Sequence, residues 1–251
     1  MEESIQNQQS TLESRAEEQE EKNALVQSST EERRDEPPEI AGSVSTRIKY
    51  TLRFTGPPSL SQLVAVAVAT AVYTVLSWLT LIGLPSPFFG VSSIFIGIGF
   101  GIPFAIWFGG WAFVIAYIGN FVGAGLLTGT PFLVALPFGA ADLIQLGLPM
   151  LLYRLFANRF GVSPIGKDVY TVRGFIFFLI CAVIPNNVIG GLYGNFILVA
   201  GGLNKPELLV PGWFTWSISN MIVTAVIGSI LLATLGPVVE RFGLTIRNLF
   251  N

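Results

Sequence analysis

The sequence contains no histidine and a single cysteine, Cys181. The missing imidazole excludes Ser-His hydrolysis, histidine-held metal hydrolysis and haem ligation by histidine. A lone cysteine cannot form an intrachain disulfide or build a cysteine metal cluster. We therefore expect no catalytic residues, no metal site and no cofactor, and we do not expect an enzyme.

Charged residues are missing from Phe54 to Ala141, a run of 88 residues without Asp, Glu, Lys or Arg. A water-soluble core of this size would not tolerate such a run, whereas a bilayer requires it. The composition therefore predicts an all-α integral membrane protein.

The first 41 residues have the opposite character, because they hold 12 of the 16 acidic residues and 4 of the 14 basic ones. Such a segment has too little apolar surface to offset the entropy of ordering it. We expect residues 1–56 to form a disordered acidic tail with a basic flank, residues 57–240 a transmembrane domain and residues 241–251 a short C-terminus. A solvated tether is favoured over a partner-binding arm.

Hydrophobic segments close to the length of a bilayer crossing follow the basic flank. The six predicted spans are about 60–83, 89–108, 110–128, 131–156, 173–200 and 213–238. The second and third are separated only by Phe108-Gly109-Gly110, so one of them could be a re-entrant or broken hairpin.

Basic residues test this count, because short loops rich in Lys and Arg stay in the cytoplasm. Six crossings with both termini inside place nine basic residues on the cytoplasmic side: Arg47, Lys49, Arg53, Arg154, Arg159, Lys167, Arg173, Arg241 and Arg247. Only Lys205 then lies outside. We expect a multi-pass protein of the cell membrane with cytoplasmic termini, and no nucleic-acid binding.

Asp142 is the acidic residue that lies within a predicted span, where a carboxylate is costly unless it faces a polar interior. Gln145 follows on the same helix face, and amides recur at membrane depth. The predicted solute-binding set is Asp142, Gln145, Asn120, Asn186, Asn187 and Asn220. A structural role for Asp142 and for each single Asn remains open, since amides also hold helices together.

Small residues repeat at four-residue spacing, which lets helices approach closely. The first span carries four of them, Ala65, Ala67, Ala69 and Ala71. This face can pack within the bundle or against another protein.

These alanines, the segment Gly97-Ile-Gly-Phe-Gly-Ile-Pro103 and the six-span layout resemble the substrate-binding S component of energy-coupling factor (ECF) vitamin transporters. The resemblance implies that the alanine face docks on a coupling membrane subunit. It also implies ATPase subunits as partners, and a small polar or vitamin-like solute bound between the later helices and the loop after the first helix. The chain has no phosphate-binding Gly-x-x-x-x-Gly-Lys-Ser/Thr motif of its own.

A second resemblance covers Gly109 to Leu155, with Ile118-Gly-Asn120-Phe, Gly129-Thr-Pro131 and Ala140-Ala-Asp142-Leu, and ends with Trp216-Ser-Ile-Ser-Asn220. This pattern is similar to the membrane sensor domain MASE1, which precedes an output domain. Only about ten residues follow the last span here, so we expect a solute-binding transport subunit. A sensor or scaffold and a self-contained secondary carrier with Asp142 as its proton site remain alternatives.

Overall fold

The computed structural model describes residues 50–251, and the predicted acidic tail, Arg47 and Lys49 lie outside this range. Within it the chain is helical, with one isolated antiparallel bridge between Pro85 and Ser92. The α-helices are α1 Leu60–Gly83, α2 Ile96–Phe108, α3 Ala112–Ile118, α4 Phe132–Phe138, α5 Ala140–Phe156, α6 Val172–Phe178, α7 Ile184–Ala200, α8 Leu209–Val223, α9 Ser229–Thr234 and α10 Gly236–Arg241. Three π-helical segments, Gly119–Gly125, Leu179–Val183 and Thr224–Gly228, continue α3, α6 and α8.

These elements join into five helical stretches of the described chain that are long and apolar enough to cross a membrane. They are Leu60–Gly83, Ile96–Thr128, Phe132–Phe156, Val172–Ala200 and Pro206–Arg241. Large apolar side chains cover their outer surface, among them Ile180, Phe214 and Ile222, each about 60% exposed. Exposed apolar surface on this scale is what a bilayer covers, and the fold is that of a multi-pass helical membrane protein.

Helix α1 starts at a capping box, which the sequence encodes as Ser59 followed three residues later by Gln62. The Ser59 hydroxyl accepts a hydrogen bond from the Gln62 amide, and the Gln62 side chain accepts one from the Ser59 amide. Both otherwise unpaired donors are thereby satisfied. The helix ends at Gly83, two residues before Pro85, which cannot continue it.

The predicted span 89–108 began too early, because residues Leu84 to Phe95 form a loop and α2 begins at Ile96. Ser86 and Val91 pair across this loop, and the Ser93 amide donates to the Leu84 carbonyl. The loop is largely apolar although Leu84, Phe89 and Ile94 are exposed, so composition alone does not distinguish it from a crossing.

Helix α2 runs antiparallel to α1. A Cβ at Gly97 would lie 3.2 Å from Oγ of Ser77, and one at Gly101 would lie 2.5 Å from the Tyr73 ring. Advancing along α2 therefore moves the contact backward along α1.

The chain then reverses direction. Gly119 packs on the Tyr73 ring and Gly123 packs on Ser77, which shows that α3 and its π-helical continuation run in the same direction as α1. The turn lies at Gly109, whose φ of +60° is accessible to glycine without strain. The stretch Ile96–Thr128 is thus a hairpin and not one straight helix.

Helix α2 is the centre of the bundle. Its residues Ile98, Ile102, Ala105 and Ile106 are buried, and only Ile96, Phe100 and Phe104, which share one face, are partly exposed. A helix that is apolar all round belongs in the core, whereas α1 leaves much of its surface exposed.

A buried arginine joins the two ends of the described chain at the end of the bundle opposite to the Leu84–Phe95 loop. The Arg154 guanidinium donates to four backbone carbonyls, those of Thr51, Ile246, Arg247 and Asn248, at 2.6 to 3.1 Å. The Thr51 amide in turn donates to the Arg247 carbonyl at 2.8 Å. Residues 50–55 and 245–251 therefore form one unit at this end of the bundle.

Tyr50 completes this unit. Its ring lies 5.6 Å from the Arg154 guanidinium carbon, and its hydroxyl donates to Thr245 at 3.1 Å. Burial raises the pKa of Tyr50 above its ordinary value, so the phenol stays a neutral donor throughout the physiological range.

Candidate functional site

Asp142 lies near the middle of the Phe132–Phe156 helix and is completely buried. The helix is interrupted just before it, because Pro137 lacks an amide hydrogen and Gly139 separates α4 from α5. Asp142 consequently occupies the first turn of α5, where the helix dipole stabilises negative charge.

Tyr73 of α1 supplies the clearest hydrogen bond to this carboxylate. Its hydroxyl donates to Oδ2 of Asp142 at 2.6 Å. The ring is held from two sides by Gly101 of α2 and by Gly119 of the π-helical segment after α3, and any side chain at either glycine would overlap it. Two close backbone approaches therefore fix the direction of the phenol.

Gln145 lies one turn along α5 from Asp142, and its amide can face its neighbours in two orientations. In one, Nε2 donates to Oδ1 of Asn187 at 2.8 Å. In the other, Nε2 donates to Oδ1 of Asp142 at 2.7 Å, and Oε1 accepts from Trp216 at 3.1 Å and from Asn220 at 3.0 Å but lies 2.8 Å from Oδ1 of Asn187, which cannot donate to it. An ionised carboxylate only accepts hydrogen bonds, so an ionised Asp142 selects the second orientation.

Helix α7 reaches this amide because its facing surface is made of glycine. A Cβ at Gly190 would overlap the Gln145 side chain, and one at Gly194 would lie 2.8 Å from the Trp216 ring. The absent side chains allow α5, α7 and α8 to meet around Gln145.

The two adjacent asparagines of α7 are buried against the same amide. Asn186 donates to the Gln145 backbone carbonyl at 3.1 Å, and Asn187 donates to the Val183 carbonyl at 2.7 Å. Ser217 of α8 donates to the Asn187 carbonyl at 3.2 Å. These bonds hold three helices at one level of the bundle.

A small, partly enclosed cavity lies beside the carboxylate. Its lining residues are Leu81, Gly90, Val91, Ser92, Phe95, Asn120, Ala124, Phe138, Asp142, Trp216 and Asn220. The volume open to the centre of a water-sized sphere is about 10 Å³, close to what one water molecule requires. The polar end of the cavity is Asp142, and Phe95, Phe138 and Trp216 provide its aromatic walls.

Two polar atoms of residues that line the cavity lack a hydrogen-bond partner among residues 50–251. They are Oδ1 of Asn120 and Oγ of Ser92, both on buried residues. Buried polar atoms are normally satisfied, and a ligand or water in the cavity is the natural partner for both.

The structure brings the six predicted solute-binding residues together. All are buried, with at most 1% of each residue exposed. Asn120, Asp142 and Asn220 line the cavity itself, whereas Gln145, Asn186 and Asn187 stand behind it and orient one another.

Two residues of the site were missed by the sequence interpretation. Tyr73 holds the carboxylate, and Trp216 lines the cavity and donates to Gln145 in the second orientation of that amide. The signal for Tyr73 was a tyrosine in the middle of a span, far from the interface where tyrosine usually lies.

The four alanines predicted as a docking face point in two directions. Ala69 is buried and Ala65 packs on the core, whereas Ala67 and Ala71 are exposed. Ala67 and Ala71 line a shallow apolar groove between α1 and α3, with Thr70, Thr74 and Val114.

When Asp142 is ionised, no charged partner within the described chain compensates it. Asp142 is the only charged side chain between Phe54 and Tyr153, and its partners Tyr73 and Gln145 are neutral. The site can therefore attract a cation, or hold a neutral molecule through hydrogen bonds that it donates to the carboxylate.

Comparison of the chain with protein-family models, with curated proteins and with solved structures finds no match.

Proposed function

We propose that this protein is the membrane-embedded, solute-binding subunit of an ATP-driven uptake system, and that its solute is a small polar molecule bearing a positive charge or several hydrogen-bond donors. The observation that carries the proposal is the buried Asp142 carboxylate, which lines a cavity and is held only by neutral donors.

The energetic cost of the carboxylate supports a binding role. An acidic side chain at the centre of a membrane helix costs about 2.5 to 3.5 kcal/mol on insertion scales. Two neutral hydrogen bonds offset part of that cost, and a cationic solute would offset more.

The Leu84–Phe95 loop encloses the proposed site. Asn204, in the loop between α7 and α8, accepts a hydrogen bond from the Phe89 amide and donates one to the Phe89 carbonyl, both at 3.0 Å. Gly90 packs on Leu198. Since the cavity has room for about one water, we infer that this loop moves away to admit a larger solute.

The hairpin at Gly109 supports six crossings, with α2 and α3 as separate passes through the membrane. Six passes bring both chain ends to the side that carries Arg53, Arg154 and Arg247, which is the cytoplasmic side by the distribution of basic residues. The solute then approaches from the opposite side, where the Leu84–Phe95 loop lies.

A coupling subunit would contact the exposed part of the alanine face. The small side chains of Ala67 and Ala71 permit close helix packing, and the chain has no nucleotide-binding motif to drive transport itself. Ala65 and Ala69 would then contribute to the internal packing of α1.

A mild-detergent pull-down of the tagged chain, followed by mass spectrometry, tests the assembly. We expect a coupling membrane protein and an ATPase pair with the wild type, and their loss from Ala71→Trp. Val210→Trp, at an exposed apolar position on α8, is the control that should retain them. Recovery of a signalling protein in their place would support the sensor alternative.

A self-contained carrier is the second candidate, because the buried Asp142 carboxylate lines the cavity and could take up and release a proton there. Liposomes that contain this chain alone would then show proton-coupled uptake, and Asp142→Asn would abolish it. Absence of uptake without partner subunits supports the ATP-driven system.

A further inference from the structure

A second, larger concavity lies at the opposite end of the bundle from the Asp142 cavity. It is an apolar groove between the C-terminal end of α5 and α6 with the π-helical segment that follows it, and its volume is about 740 Å³. It is lined by Leu152, Phe156, Phe160, Val172, Arg173, Ile176, Phe177, Ile180 and Cys181.

The groove faces the bilayer. Phe160, Ile176 and Ile180 on its walls are each more than half exposed, and α5 and α6 belong to the stretches that are apolar enough to span a membrane. A methylene group occupies about as much space as a water molecule, roughly 30 Å³, so the groove has room for an acyl chain.

One end of the groove carries a positive charge. Arg173 is the charged residue of the lining, and its Nη1 lies over the turn at Gly161, 3.4 Å from a Cβ placed there. Arg159 is exposed two residues before that turn. Within the described chain the ion pair formed is Lys167 with Glu240, at 3.4 Å, so the Arg173 guanidinium has no carboxylate partner among these residues.

The groove matches the polarity of an anionic phospholipid, because its apolar walls can contact an acyl chain and the guanidinium at its end can bind the headgroup. Basic pockets between membrane helices bind anionic headgroups, and a guanidinium presents its donors in the geometry that a phosphate accepts. A helix of another protein would bury the apolar walls as well, but would leave the Arg173 charge unmatched unless it carried an acidic residue there.

We propose that this groove is a specific site for one anionic phospholipid, with an acyl chain between α5 and α6 and the headgroup phosphate on Arg173. The site is independent of solute binding at Asp142.

Native mass spectrometry of the full chain in mild detergent tests the charge recognition, with phosphatidylglycerol and phosphatidylcholine of the same acyl composition as probes. We expect one phosphatidylglycerol per chain, bound about fivefold more tightly than phosphatidylcholine, the factor expected for one basic residue near a membrane surface. Arg173→Gln should remove this preference, and Arg241→Gln, an exposed arginine outside the groove, should retain it. Equal binding of the two lipids by the wild type, or equal effects of the two variants, would overturn the proposal.

Photo-crosslinking locates the acyl chain without relying on Arg173. A phosphatidylglycerol with a diazirine in its acyl chain should label the peptides that contain Phe156, Ile176 and Ile180, and Ile176→Trp should reduce that labelling because the indole fills the groove. Ile222→Trp, on the exposed face of α8, is the matched control. Labelling spread evenly over the apolar surface, or a co-purifying protein crosslinked in the groove, would contradict a lipid site.

Discussion

The hydroxyl of Tyr73 lies 2.6 Å from Oδ2 of Asp142, and this contact joins α1 to α5 inside the bundle. The bond is buried at both ends, and it is aimed by the glycines that enclose the phenol ring. It therefore links the packing of the helices to the position of the carboxylate.

Removing the Tyr73 hydroxyl tests how much its hydrogen bond to Asp142 stabilises the bundle. Tyr73→Phe keeps the ring between Gly101 and Gly119 but leaves Asp142 with one donor fewer, so we expect unfolding in detergent to become easier by about 1.5 to 3 kcal/mol. Tyr117→Phe is the control, because its hydroxyl donates to a backbone carbonyl at a half-buried position and its loss should cost about 1 kcal/mol. Equal effects of the two variants would show that the Tyr73 hydroxyl has no special role.

The general fold was predictable from the sequence because 88 uncharged residues admit only a bilayer environment. The limits of α1, of the Phe132–Phe156 stretch and of the Val172–Ala200 stretch agree with the predicted spans 60–83, 131–156 and 173–200 within a residue. The start of the predicted span 89–108 was wrong, because the residues of the Leu84–Phe95 loop are as apolar as residues that face lipid.

The candidate site was predictable in part for a related reason. Carboxylate and amide groups are conspicuous at membrane depth, which singles out Asp142 and Gln145. Trp216 is less conspicuous, because an indole near a predicted helix end is normally assigned to the membrane interface. Burial of Ala69 but not of Ala71 depends on how α1 is rotated against α2, which no single-helix pattern specifies.

The close approach of α7 to Gln145 gives a second prediction. Gly190→Ala introduces a methyl group that overlaps the Gln145 side chain, and overpacking of this kind costs about 1 to 3 kcal/mol. We expect Gln145 to turn away from Asp142 and solute affinity to fall, as measured by thermal stabilisation of the purified protein on adding solute.

Gly83→Ala is the matched control for that substitution, because a Cβ at Gly83 meets nothing within 4 Å. If Gly190→Ala bound solute as well as Gly83→Ala does, Gln145 would have no part in binding.

The Arg154 unit gives a prediction on stability. Arg154→Met keeps the length of the side chain but leaves the carbonyls of Thr51, Ile246 and Asn248 without their donor, so we expect a loss of at least about 3 kcal/mol. Unfolding by denaturing detergent measures it. Arg159→Met, at an exposed position, should change stability by less than about 0.5 kcal/mol. A comparable loss in both variants would show that stability depends on the number of positive charges and not on the hydrogen bonds of Arg154.

The attachment of the Leu84–Phe95 loop gives a kinetic prediction. Asn204→Leu removes both hydrogen bonds to the Phe89 backbone, and two neutral bonds together correspond to about a tenfold change or more in the rate of opening. Solute dissociation, followed by the fluorescence of Trp216 beside the cavity, should accelerate by that factor. Asn158→Leu, in the loop after α5, should dissociate at the wild-type rate, and an unchanged rate in Asn204→Leu would exclude this loop as the gate.

The most direct measurement of solute binding is mass spectrometry of the small molecules retained by the chain after mild purification. Wild-type protein should retain a small cationic or hydrogen-bond-donating molecule, Asp142→Asn should lose it, and Glu207→Gln, which alters an exposed carboxylate, should keep it. Retention of the same molecules by all three proteins would contradict the assignment of Asp142 as the solute-binding carboxylate.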